Sequence, residues 1–230
     1  MMTHLLETAR RRPELMGLAG FGAAALLLLA IFKFASEIAE GDTMAFDVAV
    51  LRAMRHAAGP DTPLTTFMLG MTHLGDAITL VVLVLLSAGF LFTARKQGMA
   101  LFLILATTAG FLLVQLLKRV VDRPRPDVVE HWTSFANASF PSGHAANSAI
   151  IYLTLAVLIA RSVTSRALRI YVVMAAMLLT FVIGLSRLYL GVHWPTDVLS
   201  GWIVGAGWAM ACSSLAWWLQ ARRTIEPPAL

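Results

Sequence analysis

Residues 98–126 read GMALFLILATTAGFLLVQLLKRVVDRPRP. The stretch 98–117 carries no charged side chain, and then Lys118, Arg119, Arg123 and Arg125 crowd into the next few positions. About 20 apolar residues, rising 1.5 Å each, are what a helix needs to cross roughly 30 Å of hydrocarbon. The segment therefore predicts a membrane-spanning helix that ends in a cluster of cations.

The same pattern recurs along the chain. Runs of comparable length and hydropathy cover 15–35, 76–94, 144–160, 168–185 and 194–219. Hydrophobic residues make up 58% of the 230 and charged residues 13%, about half the charge of a soluble domain. Closed barrels would show short alternating segments instead, and none appear. The expectation is an all-α, polytopic membrane protein of six transmembrane helices, forming one integral membrane domain over 1–230.

The pI near 10.0 does not point to nucleic acid, because ten of the eighteen Lys and Arg sit in alternate connections or at the ends. Arg10, Arg11 and Arg12 precede the first run, and Arg95 and Lys96 follow the second. Arg161, Arg166 and Arg169 lie between the fourth and fifth, and Arg222 and Arg223 follow the last. The positive-inside rule then puts both termini in the cytoplasm. An uncleaved first span is expected rather than a signal peptide, since no small-residue cleavage site follows it. The connection 36–75 is mostly acidic, and its segment 47–59 (DVAVLRAMRHAAG) sets Val48, Leu51 and Met54 at helical spacing. It reads as an interfacial helix on the outer surface. The piece 63–75 either extends the second span or lines a lateral entrance.

Other single residues have ordinary readings. Lys33 snorkels to the interface, and Asp76 suits a helix N-terminus. His4, His56, His73 and His131 are surface or interface residues. Cys212 is a lone core residue, so no internal disulfide or thiolate cluster forms. Gly201 and Gly205 make a weak GxxxG packing signal.

Three clusters break the positive-inside pattern, all on the expected outer side. They are KRVVDRPRP at 118–126, PSGHAAN at 141–147 and SRLYLGVHWPTDV at 186–198. Lys118, Arg125 and Arg187 supply cations, Arg with a planar fork suited to phosphate. Ser142 and Gly143 stand where a helix starts and free N–H groups attract an anion. His144 and His193 can move protons or attack an electrophile. Asp197 is four residues beyond His193, within reach if the turn is helical, and Pro195 suits the first position of that helix. A carboxylate on one ring nitrogen fixes the tautomer and leaves the other free. The set is built to bind and transfer a phosphoryl group.

These residues, Lys118-(six)-Arg125-Pro126, Pro141-Ser142-Gly143-His144 and Ser186-Arg187-(five)-His193-(three)-Asp197, resemble the three-part signature of the type-2 phosphatidic acid phosphatase superfamily, which includes the vanadium haloperoxidases. The resemblance implies His193 as nucleophile through a phosphohistidine, Asp197 as its orienting group and His144 as general acid. It implies Lys118, Arg125, Ser142, Gly143 and Arg187 as the phosphate cradle, with no metal and no cofactor. Arg123 is an accessory cation facing a second phosphate, the lipid interface or solvent. The expected function is hydrolysis of a lipid phosphate or diphosphate at the outer face of the inner membrane, with undecaprenyl diphosphate first. Phosphatidylglycerol phosphate, phosphatidic acid and lipid A phosphates are the alternatives. A haloperoxidase is disfavoured by the six spans, and a lipid-binding or transport protein by the placement of the ionisable groups at one surface rather than at the midplane. The expected partner is a membrane lipid phosphate, with no nucleic acid.

Overall fold

A computed structural model describes residues 43–226 except 57–58 and 135–137, together with positions 22, 29, 33, 36 and 41. The expected first span, 15–35, and the cations at 10–12 lie outside these apart from isolated positions. The described chain is helical, without strands. Its helices are α1 (Met44–His56), α2 (Pro63–His73), α3 (Ala77–Thr93), α4 (Gln97–Val121), α5 (Gly143–Ser162), α6 (Arg166–Tyr189) and α7 (Pro195–Ala221). Helix α5 contains one π-helical turn, Ala149–Leu153.

Four of these helices, α4 to α7, are long and apolar enough to cross a membrane. A fifth span results if α2 and α3, bent by 49° at their break, count as one. The segment 63–75 thus continues toward the second expected span at an angle. Pro63 opens α2 behind the Thr62 cap, whose Oγ1 accepts from Thr65 N at 3.2 Å. Apolar side chains such as Ile78, Leu86, Leu105 and Leu178 are exposed along the spans, as lipid contact demands.

The core lies between α3, α4, α5 and α7, where Leu80, Val84, Leu103, Val114, Ile150 and Val204 are buried together. Helix α6 packs against both α5 and α7, and α1 and α2 pack against α6. A second cluster, Met68, Tyr189, Leu190 and Val192 with Trp132 beside it, joins α2 to the end of α6.

The GxxxG pair brings two motifs together. A β-carbon at Gly201 would stand 2.8 Å from the Ser142 carbonyl oxygen, and one at Gly205 2.6 Å from the Ala146 carbonyl oxygen and against the Ala149 methyl. Helix α7 therefore lies backbone to backbone on the start of α5. Gly205→Ala is expected to push the helices apart and cost about 1–3 kcal/mol, the usual range for overpacking. Thermal unfolding in detergent measures it.

Candidate active site

The three clusters converge at one end of the bundle, at the C-terminal ends of α4 and α6 and the N-terminal ends of α5 and α7. Helix α4 runs past the apolar stretch to Val121, so Lys118 belongs to its last turn and is buried. Its Nζ donates to the Ala138 carbonyl at 2.7 Å. Asp122 ends the helix in the left-handed region at φ 41. The chain then crosses the site, with Trp194 Nε1 donating to the Pro124 carbonyl at 2.9 Å.

Helix α7 opens with Pro195 and carries Asp197 in its first turn. That turn makes the four-residue spacing work: His193 Nδ1 is 3.6 Å from Asp197 Oδ2. Asp197 is wholly buried. Its carboxylate accepts from Trp194 N at 3.0 Å, from the Ser139 hydroxyl and from Arg123 Nη1 at 2.7 Å. Its backbone carbonyl accepts from Ser142 N at 3.0 Å, which ties the second cluster to the third.

The other nitrogen of His193, Nε2, lies 3.3 Å from Arg125 Nη1. Arginine has donors only, so Nε2 accepts and the ring proton belongs on Nδ1, facing Ser139 and Asp197. Burial, aided by the nearby Arg125 and Arg187, pushes the His193 ring down to about 3 against the pull of Asp197. The imidazole is neutral at physiological pH, with a lone pair at Nε2. Arg125 is fixed by a 2.6 Å bond from Nη1 to the Val192 carbonyl.

Arg187 ends α6 and donates from Nη1 to Thr72 Oγ1 at 2.6 Å, while its Nε is buried without a partner among the described residues. Ser142 Oγ is in the same state. Buried donors are almost always satisfied, so two unmet ones next to three cations indicate an anion site. A cavity of about 340 Å³ is lined by Lys118, Arg125, Ser134, Gly143, His144, Arg187 and His193. Larger by volume is an apolar groove of about 450 Å³ at the opposite end, around Leu83, Phe90, Lys96 and Leu158. It lacks this chemistry.

Arg123 does not line the cavity. It is buried, 6% exposed, and spans three acceptors: Thr196 Oγ1 at 2.8 Å, Asp197 Oδ1, and Asp47 Oδ2 at 2.7 Å through Nη2. Asp47 also accepts from Thr196 N at 2.9 Å and Thr196 Oγ1 at 2.7 Å. Helix α1 thus sends one carboxylate inward to the N-terminus of α7, where the helix dipole favours it. Its exposed face carries Phe46 and Arg52, and Arg55 stacks 3.5 Å over the Trp132 ring.

Sequence reasoning missed Asp47, Thr72, Asp76, Ser139 and Thr196. Only Asp47 and Asp76 left a signal, as acids in a hydrophobic chain, and their partners Arg123, Thr196 and His144 lie far along the chain. His131 and His73 behave as ordinary peripheral residues, His131 pairing with the Pro126 carbonyl at 2.5 Å. His73 is 71% exposed yet contacts Asp76.

A bundle of membrane-length helices with cations, two histidines and a buried carboxylate at one end defines a phosphoryl-transfer protein of the membrane. The chain belongs to the PAP2 superfamily, whose profile matches residues 97–221. It is 35% identical to phosphatidylglycerophosphatase B of Bacillus subtilis over 62% of this chain and 70% of that protein. It is 32% identical to the lipid A 1-phosphatase of Rhizobium etli over 60% of this chain and 65% of that one. The crystal structure of the transmembrane PAP2-type phosphatidylglycerolphosphate phosphatase of Bacillus subtilis superposes with a TM-score of 0.76 at 28% identity, covering 84% of this chain and 95% of that one. The protein is accordingly a membrane-embedded phosphatase of the lipid phosphatase family.

Proposed function

We propose that the protein removes a phosphate from a lipid phosphate monoester or diphosphate through a phosphohistidine on His193. The observation that carries this reading is the cavity where His193 and His144 face Lys118, Arg125 and Arg187. Phosphate oxygens meet the three cations, the Gly143 backbone and the donors left unmet on Ser142 and Arg187. His193 Nε2 attacks phosphorus as the bond to the leaving oxygen breaks. His144 gives that oxygen a proton. Water then attacks the phosphohistidine and returns a proton to His144, which frees phosphate and restores both rings. Asp197 keeps the His193 proton on Nδ1 and stabilises the positive ring as the bond forms.

The site lies at one end of the bundle, so a substrate keeps its tails in the bilayer while its headgroup enters. With the alternate basic connections cytoplasmic, the site faces the periplasm or exterior of the inner membrane, both termini lie inside and α1 lies on the outer surface. Phosphatidylglycerol phosphate moves ahead of undecaprenyl diphosphate as the first substrate to test, because a similar protein and a similar solved structure both carry that activity in their names. The cradle reads phosphate and is indifferent to most of the lipid.

The test is phosphate release by purified protein in detergent with phosphatidylglycerol phosphate, undecaprenyl diphosphate, phosphatidic acid and a lipid A phosphate side by side. The ranking of kcat/KM assigns the lipid, and no release from any of them overturns the reading. Because fixed cations supply the charge, EDTA is expected to leave the rate unchanged. A loss restored by magnesium would refute the metal-independent mechanism.

A further inference from the structure

Asp76 stands at the break between α2 and α3, in the N-cap position of α3, yet its side chain makes no capping bond to that helix. An aspartate there ordinarily accepts from the free N–H groups of the first turn. Here both oxygens turn elsewhere. Oδ1 lies 2.8 Å from His144 Nε2 and Oδ2 lies 2.8 Å from His73 Nδ1. One carboxylate therefore joins a ring that lines the cavity to a ring that is largely in water.

The local structure is shaped around this contact. A β-carbon at Gly75 would meet Ile183 Cγ2 at 2.6 Å and His144 Cδ2 at 3.1 Å, so glycine lets the ring lie against the backbone. The Leu74 carbonyl accepts from the Tyr152 hydroxyl at 2.8 Å, pinning the bend to the helix that carries His144. No three of His, Cys, Asp and Glu are arranged to hold a metal ion among the described residues, so the histidine-carboxylate-histidine row is not explained as a metal site.

We propose that Asp76 is a positioning residue for the proton donor His144, fixing Nε2 so that Nδ1 is the nitrogen that serves the leaving oxygen; this rests on His144 acting as the acid in the reading above. A protonated His144 shares its cavity with Lys118, Arg125 and Arg187, and Asp76 supplies the counter-charge in direct hydrogen-bond contact. His73 holds the second oxygen and so sets the direction of the carboxylate. The pair is a second histidine-carboxylate couple, matching His193 and Asp197 but serving the acid rather than the nucleophile.

A leaving group separates this role from a structural one. Lipid alkoxide needs a proton to depart, whereas the nitrophenolate of p-nitrophenyl phosphate leaves without one. Asp76→Asn is expected to lower the single-turnover rate of leaving-group release from phosphatidylglycerol phosphate at least about tenfold, part of the roughly 10²–10⁴ that a general acid contributes, while the first-turnover burst of nitrophenolate from p-nitrophenyl phosphate falls by less than about threefold. His144→Asn should show the same split more strongly. The double variant should be no slower than His144→Asn alone, since Asp76 acts through that ring. Inhibition by orthovanadate, which occupies the phosphate cradle, should stay near the parent value in Asp76→Asn.

Equal loss on both substrates, or a double variant in which the two losses multiply, overturns the proposal as a structural effect. A split in His144→Asn with none in Asp76→Asn overturns the role of Asp76 and leaves the phosphatase reading standing. No split in His144→Asn removes the acid role and this inference with it. If Asp76→Asn does not fold, Asp76→Glu keeps the charge but moves the ring, and an unsplit response from it is equally fatal.

Discussion

Phosphate release is expected to fall by about 10⁴-fold or more when His193 is replaced by alanine, the scale on which loss of a nucleophile acts, while the protein stays folded in the membrane. The reason lies in the geometry around the ring. Nε2 carries the lone pair and lies 3.3 Å from Arg125 Nη1, at the wall of the cavity. The other ring that lines the cavity, His144, contacts the part-exposed carboxylate of Asp76 through Nε2. The three cavity cations remain, so the variant should still bind inorganic phosphate. Retained phosphate binding with no turnover is the expected signature, and normal turnover would refute the nucleophile assignment.

Arg123→Ala is expected to be the most damaging change outside the cavity. It leaves Asp47 and Asp197, both wholly buried, without their shared cation. Breaking a buried pair in this way costs about 3–5 kcal/mol, because the abandoned charge stays buried. Activity should fall together with stability, since Asp197 loses one of the bonds that aim it at His193. Arg123→Lys should rescue little: one ammonium cannot reach the Asp47 and Asp197 carboxylates with the paired geometry of a guanidinium. Asp47→Asn should be milder, since the amide still accepts from Thr196 N or Arg123. Thermal unfolding in detergent and phosphate release, measured on the same preparations, decide it. An Arg123→Ala protein as stable and active as the parent would show that the network is dispensable.

Much of this protein was legible in one dimension. Membrane-spanning helices follow from length and hydropathy alone, because hydrocarbon forces each span to satisfy its own backbone. The residues of the proposed cradle come together because they stand in short runs at helix ends, where local spacing fixes geometry. His193 and Asp197 meet through one turn of α7 that Pro195 starts. Six of the seven residues around the cavity, Ser134 being the exception, were named by spacing and chemistry.

What the sequence left open depends on contacts across long stretches of chain. Arg123 looked like a spare cation, since nothing near it in sequence told that Asp47 on α1 and Asp197 on α7 would enclose it. Asp76 does stand at a helix start, but its contact with His144, far along the chain, appears only in the fold. Ser139 and Thr72 carry no charge and follow no period, so their bonds to Asp197 and Arg187 had no trace in the pattern. Hydropathy and local spacing set which groups gather at one end of the bundle. Which buried charge answers which is decided by packing, because a desolvated ion takes whatever partner the fold brings within about 3 Å.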